Sequence, residues 1–129
     1  MMRHDLLSDV LVAMQNGDKL GKNYIMTGAS DLVKGVLLVL QKKEFIGEFE
    51  YVEDNSGGQF KINLLGKINA SRSIRPRFSV NMGTYNKYKR RFLPASGFGM
   101  VIVTTSQGVM DHREAQKKKI GGKLLAYVY

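Results

Sequence analysis

The chain has 129 residues, 43% of them hydrophobic, no cysteine and a formal net charge of +9. That length suits one compact unit or two small subdomains with a buried core, and the apolar content separates it from a disordered basic tail. Absence of cysteine excludes disulfides, thiolate metal sites and cysteine nucleophiles, and no apolar run approaches the roughly 18 residues that cross a bilayer.

Residues 5–16 predict an amphipathic helix, with Leu6, Leu7, Val10, Leu11 and Met14 at helical spacing, Asp5 as cap and Gly17 as stop. A short strand is expected at 22–27. Ser30 then offers an N-cap for a second helix, whose apolar face runs through Leu32, Val33, Val36, Leu37 and Leu40 and ends near Lys42 and Lys43. Residues 45–54 and 59–64 flank Asn55-Ser56-Gly57-Gly58, which predicts a hairpin. Helix, strand, helix and hairpin make a first α/β subdomain over residues 1–66, with the helices on one face of its sheet.

The second subdomain, residues 67–129, reads as mostly β with short helices. Strand-like pieces at 67–69 and 78–80 are separated by a segment in which Pro76 excludes a regular central strand. A short basic helix is expected over 84–93 and a buried strand over 99–105. Thr104-Thr105-Ser106-Gln107-Gly108-Val109-Met110 reads as a polar loop leading to a helix that Asp111 caps and that runs through Lys118. Gly121 and Gly122 break that helix, and 123–129 form a terminal strand. The fold class is therefore α+β, built from two small α/β subdomains.

Charge placement is sharper than charge total. Residues 55–110 hold nine basic side chains and no acidic one, among them Arg72, Arg75, Arg77, Lys87, Lys89, Arg90 and Arg91. Such segregation points to a polyanion, because a local positive field draws phosphate from a distance. Between Tyr85 and Phe92 the cations alternate with aromatics, which suits either base stacking or a helix whose aromatics face the core. The hydroxyls of Thr104, Thr105 and Ser106, the Gln107 amide and the Gly108 backbone are short-range hydrogen-bonding groups beside this field. Charge alone also permits a basic adaptor or scaffold for acidic protein partners.

Other chemistries find no support. Ser106 lacks the glycine two residues upstream that a nucleophile elbow needs, and Asp111 is better used as a helix cap. His112 is expected on the first helical turn, facing solvent or a ligand. The segment 17–22 has the wrong spacing and context for a phosphate loop. The chain is read as neither an enzyme nor a holder of a metal or cofactor.

From Gly99 to Tyr129, with Thr104–Met110, Asp111-His112-Arg113-Glu114-Ala115 and Gly121-Gly122-Lys123, the sequence closely resembles the C-terminal part of the small-subunit ribosomal protein S-eight family. Asp5 and Asn16, Phe45–Phe49 and Gly66–Asn69 fall where that family has its counterparts, and Ile74-Arg75-Pro76-Arg77-Phe78 resembles its archaeal and eukaryotic branch. The resemblance implies a cytoplasmic structural constituent of the small ribosomal subunit. It implies a primary binder of the central domain of small-subunit rRNA that acts in platform assembly beside neighbouring ribosomal proteins, with no membrane or small-molecule substrate. It further implies RNA contacts at Thr104 to Gly108, at Gly121, Gly122 and Lys123, and at Ser30.

Overall fold

A computed structural model describes residues 6–55, 57–95 and 97–129. The chain divides into two compact units, the first ending at Asn69 and the second beginning at Ala70. The expected cap Asp5 and turn residue Ser56 lie outside the described residues.

The first unit runs α1 (Leu6–Lys19), β1 (Tyr24–Gly28), α2 (Asp31–Lys42), β2 (Ile46–Val52) and β3 (Gln59–Leu64). Its strands form an antiparallel sheet in the order β1-β3-β2. Alternation along β3 puts Phe60, Ile62 and Leu64 on one face, and register sets Ile25 and Thr27 of β1 beside Ile62 and Phe60. Against that face pack Leu7, Val10, Leu11 and Met14 of α1 and Val33, Val36, Leu37 and Leu40 of α2, all buried. Each such aliphatic side chain contributes about 2 kcal/mol of burial, so the two helices and the sheet stabilise one another.

The end of α1 corrects the sequence reading. Gly17 lies inside the helix and is buried, because a Cβ there would come within 2.7 Å of Leu64 Cδ1 and 2.9 Å of Ile25 Cγ2. The helix stops one turn later, where Gly21 adopts φ +74° and the Gly21 and Lys22 amides donate to the Asp18 and Gly17 carbonyls at 3.2 and 2.9 Å. That pair of bonds is a Schellman C-cap, in which the left-handed position favours glycine. The two acidic oxygens of Asp18 then accept from the Gly66 and Ile68 amides at 3.2 and 3.0 Å.

The second unit runs β4 (Ser71–Ser73), β5 (Ser79–Val80), α3 (Tyr85–Phe92), β6 (Met100–Thr105), β7 (Gly108–Asp111), α4 (His112–Lys117) and β8 (Gly122–Val128). Its antiparallel sheet has the order β4-β8-β6-β7, with β5 also pairing to β8. β8 is the hub. Leu124, Leu125, Ala126 and Val128 are all buried, as its continuous apolar run requires when both faces of a strand are covered. Tyr85 of α3 reaches across the core, and its hydroxyl donates to the Ile120 carbonyl at 2.9 Å. The expected strand at 67–69 is absent: Ile68 is buried, but its amide bonds a side chain, and regular pairing begins at β4.

Candidate nucleic-acid interface

The segment read as a polar loop is mostly strand. Thr104 and Thr105 end β6, Gly108 begins β7, and Thr105 pairs with Gly108, so only Ser106 and Gln107 form the turn. Neither turn residue has positive φ, whereas Gly108 sits at φ +110°. A type I turn closed by a glycine in the left-handed region produces this geometry. The Thr105 hydroxyl fixes it by donating to the Gly108 carbonyl at 2.8 Å and accepting from the Gln107 amide at 3.1 Å. Thr105 therefore shapes the turn, while Ser106, Gln107 and Gly108 are exposed at its tip.

Behind the tip, register builds a row in which Ser79 joins two residues already expected at the contact, Thr104 and Lys123. Thr104 lies beside Val109 on one side and Lys123 on the other, and Lys123 lies beside Ser79 of β5. Directly opposed residues in a sheet point to the same face, so Thr104, Lys123 and Ser79 present hydroxyl, ammonium and hydroxyl side by side. Ser79 had no signal of its own in the sequence, because strand order alone brings it there.

Gly121 and Gly122 have a packing reason for being glycine. A Cβ at Gly122 would collide with the Thr104 carbonyl oxygen, and one at Gly121 with the Val80 carbonyl oxygen. They allow β8 to enter the sheet against the backbones of β5 and β6, next to the turn.

The predicted cations fall into separate places in this unit. Arg72 is exposed on β4, opposite Tyr127 of β8, and Arg75 and Arg77 are exposed between β4 and β5. On α3, Arg91 lies over the rings of Phe78 and Phe92, 5.2 and 5.3 Å from their centroids, and Lys87 lies 5.6 Å from that of Tyr88. Lys89 and Arg90 face a different way, into a cavity shared with His112 and Arg113.

The aromatics of α3 serve the fold. Phe78 stacks on Tyr88 and Phe92 on Tyr127, both with centroids 5.4 Å apart, and Tyr127 continues to Tyr129 at 6.1 Å. Their faces are taken up by one another and by Arg91 and Lys87, which leaves cationic groups and not ring faces offered to solvent.

His112, expected to face solvent or a ligand, does not face solvent: it is only 2% exposed. Asp111 ends β7 and caps α4, accepting from the Glu114 amide at 3.4 Å, so the next side chain turns down against β6. There His112 Nδ1 accepts from the Val101 amide at 3.1 Å. Burial lowers its pKa to about 4, helped by the charges of Lys89 and Arg113 and opposed by Asp111. The imidazole is consequently neutral near pH 7, with its proton on Nε2.

Ser30 belongs to the first unit and caps α2, its hydroxyl accepting from the Val33 amide at 3.2 Å. Ser30→Ala is expected to lower stability by about 1 kcal/mol, read as a shift in urea midpoint; Ser30→Asp should restore it.

Among the described residues no group of three or more histidine and acidic side chains is placed to hold a metal ion. Donors at the turn, cations beyond it and few acids suit an anionic, hydrogen-bonding surface. The family model described as ribosomal protein S8 matches residues 5–129.

Proposed function

Because the chain belongs to the ribosomal protein S8 family, we propose that it binds the central domain of small-subunit rRNA directly and helps to assemble the subunit around it. Membership makes it a small-subunit ribosomal protein that binds rRNA beside other proteins of that subunit.

The observation that carries this reading is the β6–β7 turn. It projects Ser106, Gln107 and the Gly108 backbone from a rigid hairpin whose flank carries Lys123. Regular A-form RNA offers side chains little in its deep, narrow major groove, so short donors on a rigid tip are suited to unpaired or distorted positions. Long cations elsewhere in the unit neutralise flanking phosphates without reading sequence. Gly121, Gly122 and Lys123 would border the contact, whereas Ser30 contributes from the first unit, where capping is its structural duty.

The two roles separate experimentally. Ser106→Ala should cost about 1 to 3 kcal/mol on a central-domain rRNA fragment and little on a random duplex. Arg77→Ala should weaken both RNAs alike and reduce the salt slope by about one. Filter binding across a salt series measures both; equal losses for the two variants on both RNAs would sink the division. A basic protein adaptor would instead show no preference for one structured RNA over another.

A further inference from the structure

The cavity beside α3 is not part of the turn. It is lined by Lys89, Arg90, Leu93, Pro94, His112 and Arg113 among others, and has a volume of about 560 Å³. His112 and its partner Val101 lie at the opposite end of the β6–β7 hairpin from Ser106, five residues along β6 and so about 16 Å away. The volume lies within the range of roughly 300 to 1,000 Å³ that accommodates a ligand of drug size, which a single nucleotide is.

Its chemistry is divided in a particular way. Lys89, Arg90 and Arg113 supply three positive charges at the rim, and no carboxylate is among the lining residues. Leu93, Pro94 and Ala95 form an apolar wall, and Gly97 and Gly99 bring bare backbone to the mouth. Two neutral polar groups remain, the Asn86 amide and the buried His112 ring. With Nδ1 committed to the Val101 amide, the ring offers its other nitrogen as a donor that carries no charge. A plain anion hole needs neither the apolar wall nor a neutral donor; a nucleotide uses all three.

We propose that this cavity receives one unpaired nucleotide of the bound rRNA, its phosphate held by Lys89, Arg90 and Arg113 and its base laid on Leu93 and Pro94, within reach of His112 and Asn86. This rests on the reading of the chain as an rRNA binder, but it names a second contact remote from the hairpin turn. An unpaired nucleotide fits because its base is already free of the stack and gives a face to the wall and an edge to the donors.

The test uses the full chain and the four ribonucleoside 5′-monophosphates as probes, with inorganic phosphate and the parent nucleosides as controls. The sequence holds two histidines, so His4→Gln leaves His112 as the one imidazole signal for NMR. At least one monophosphate should shift the His112 ring signals in a saturable way and bind about tenfold more tightly than phosphate or nucleoside. Arg113→Ala should weaken that binding about tenfold, as expected for loss of one charged hydrogen-bond donor, while Ser106→Ala leaves it unchanged. No His112 response to any monophosphate, or phosphate binding as tightly as the nucleotides, overturns the proposal. If rRNA selectivity by the unaltered chain persists in that case, the pocket alone is wrong. A His112 response without rRNA selectivity leaves a nucleotide pocket but overturns its rRNA occupant, and it refutes the turn as well.

Discussion

Gly122→Ala is expected to destabilise the protein by roughly 3 kcal/mol, at the upper end of the cost of overpacking a well-packed site. The added methyl would meet the Thr104 carbonyl oxygen, with the Thr104 carbonyl carbon at 3.0 Å and Thr105 Cγ2 at 3.1 Å. The nearest of these are not flexible side-chain ends. The first two belong to the backbone of β6, and retreating from the methyl means loosening the β6–β8 ladder where it supports the turn. Gly21→Ala provides the contrast, since nothing lies within 4 Å of its Cβ and its φ of +74° is the only source of strain. That substitution should cost about 1 kcal/mol. Urea unfolding of the two variants measures the difference; equal losses would remove the steric argument for Gly122.

The second large effect is a loss of stability in acid through His112. In the unfolded chain its imidazole takes up a proton near its ordinary pKa of 6.5, whereas burial beside Lys89 and Arg113 holds it off until about 4 in the folded protein. Between those values the unfolded state binds more protons, so stability falls as pH falls, and the whole penalty is present below the folded pKa. At 1.36 kcal/mol per unit, the penalty is roughly 3 kcal/mol. Above pH 6.5 the group adds no slope. His112→Asn preserves an acceptor for the Val101 amide and removes the titration. Urea midpoints of the two proteins should therefore converge as pH drops from 7 to 4, and parallel curves would refute the assignment.

What the sequence revealed followed local rules. The Ser30 cap, the apolar face of α2 and the β2–β3 hairpin were legible because capping, helical spacing and strict alternation in Gln59–Leu64 each act within a few residues. β7 was not, because Gly108-Val109-Met110-Asp111 is four residues long, starts with glycine and is a strand only through its pairing with β6. Gly17 misled for the opposite reason. A glycine after an amphipathic run reads as a stop, but here it is the small residue that lets α1 approach Leu64 and Ile25.

The site was legible in composition more than in geometry. An acid-free segment identified a cationic unit, but strand register decides which cations gather: Lys123 stands beside Thr104 and Ser79, whereas Lys87 and Arg91 lie over aromatic rings and Lys89 and Arg90 over the cavity. The burial of His112 was not legible because its neighbour Asp111 reads as a helix cap, when it is also the last residue of a strand. The strand sets the direction in which the next side chain leaves.

Site-directed crosslinking decides whether the turn at Ser106 and Gln107 touches one structured region of rRNA. A photoreactive residue in place of Gln107, exposed to total cellular RNA, should attach to a single region of the central domain of small-subunit rRNA, with Ser106→Ala sharply reducing that product. Crosslinks spread along ribosomal RNA in proportion to its abundance, indifferent to Ser106, would show that the turn recognises no particular RNA structure.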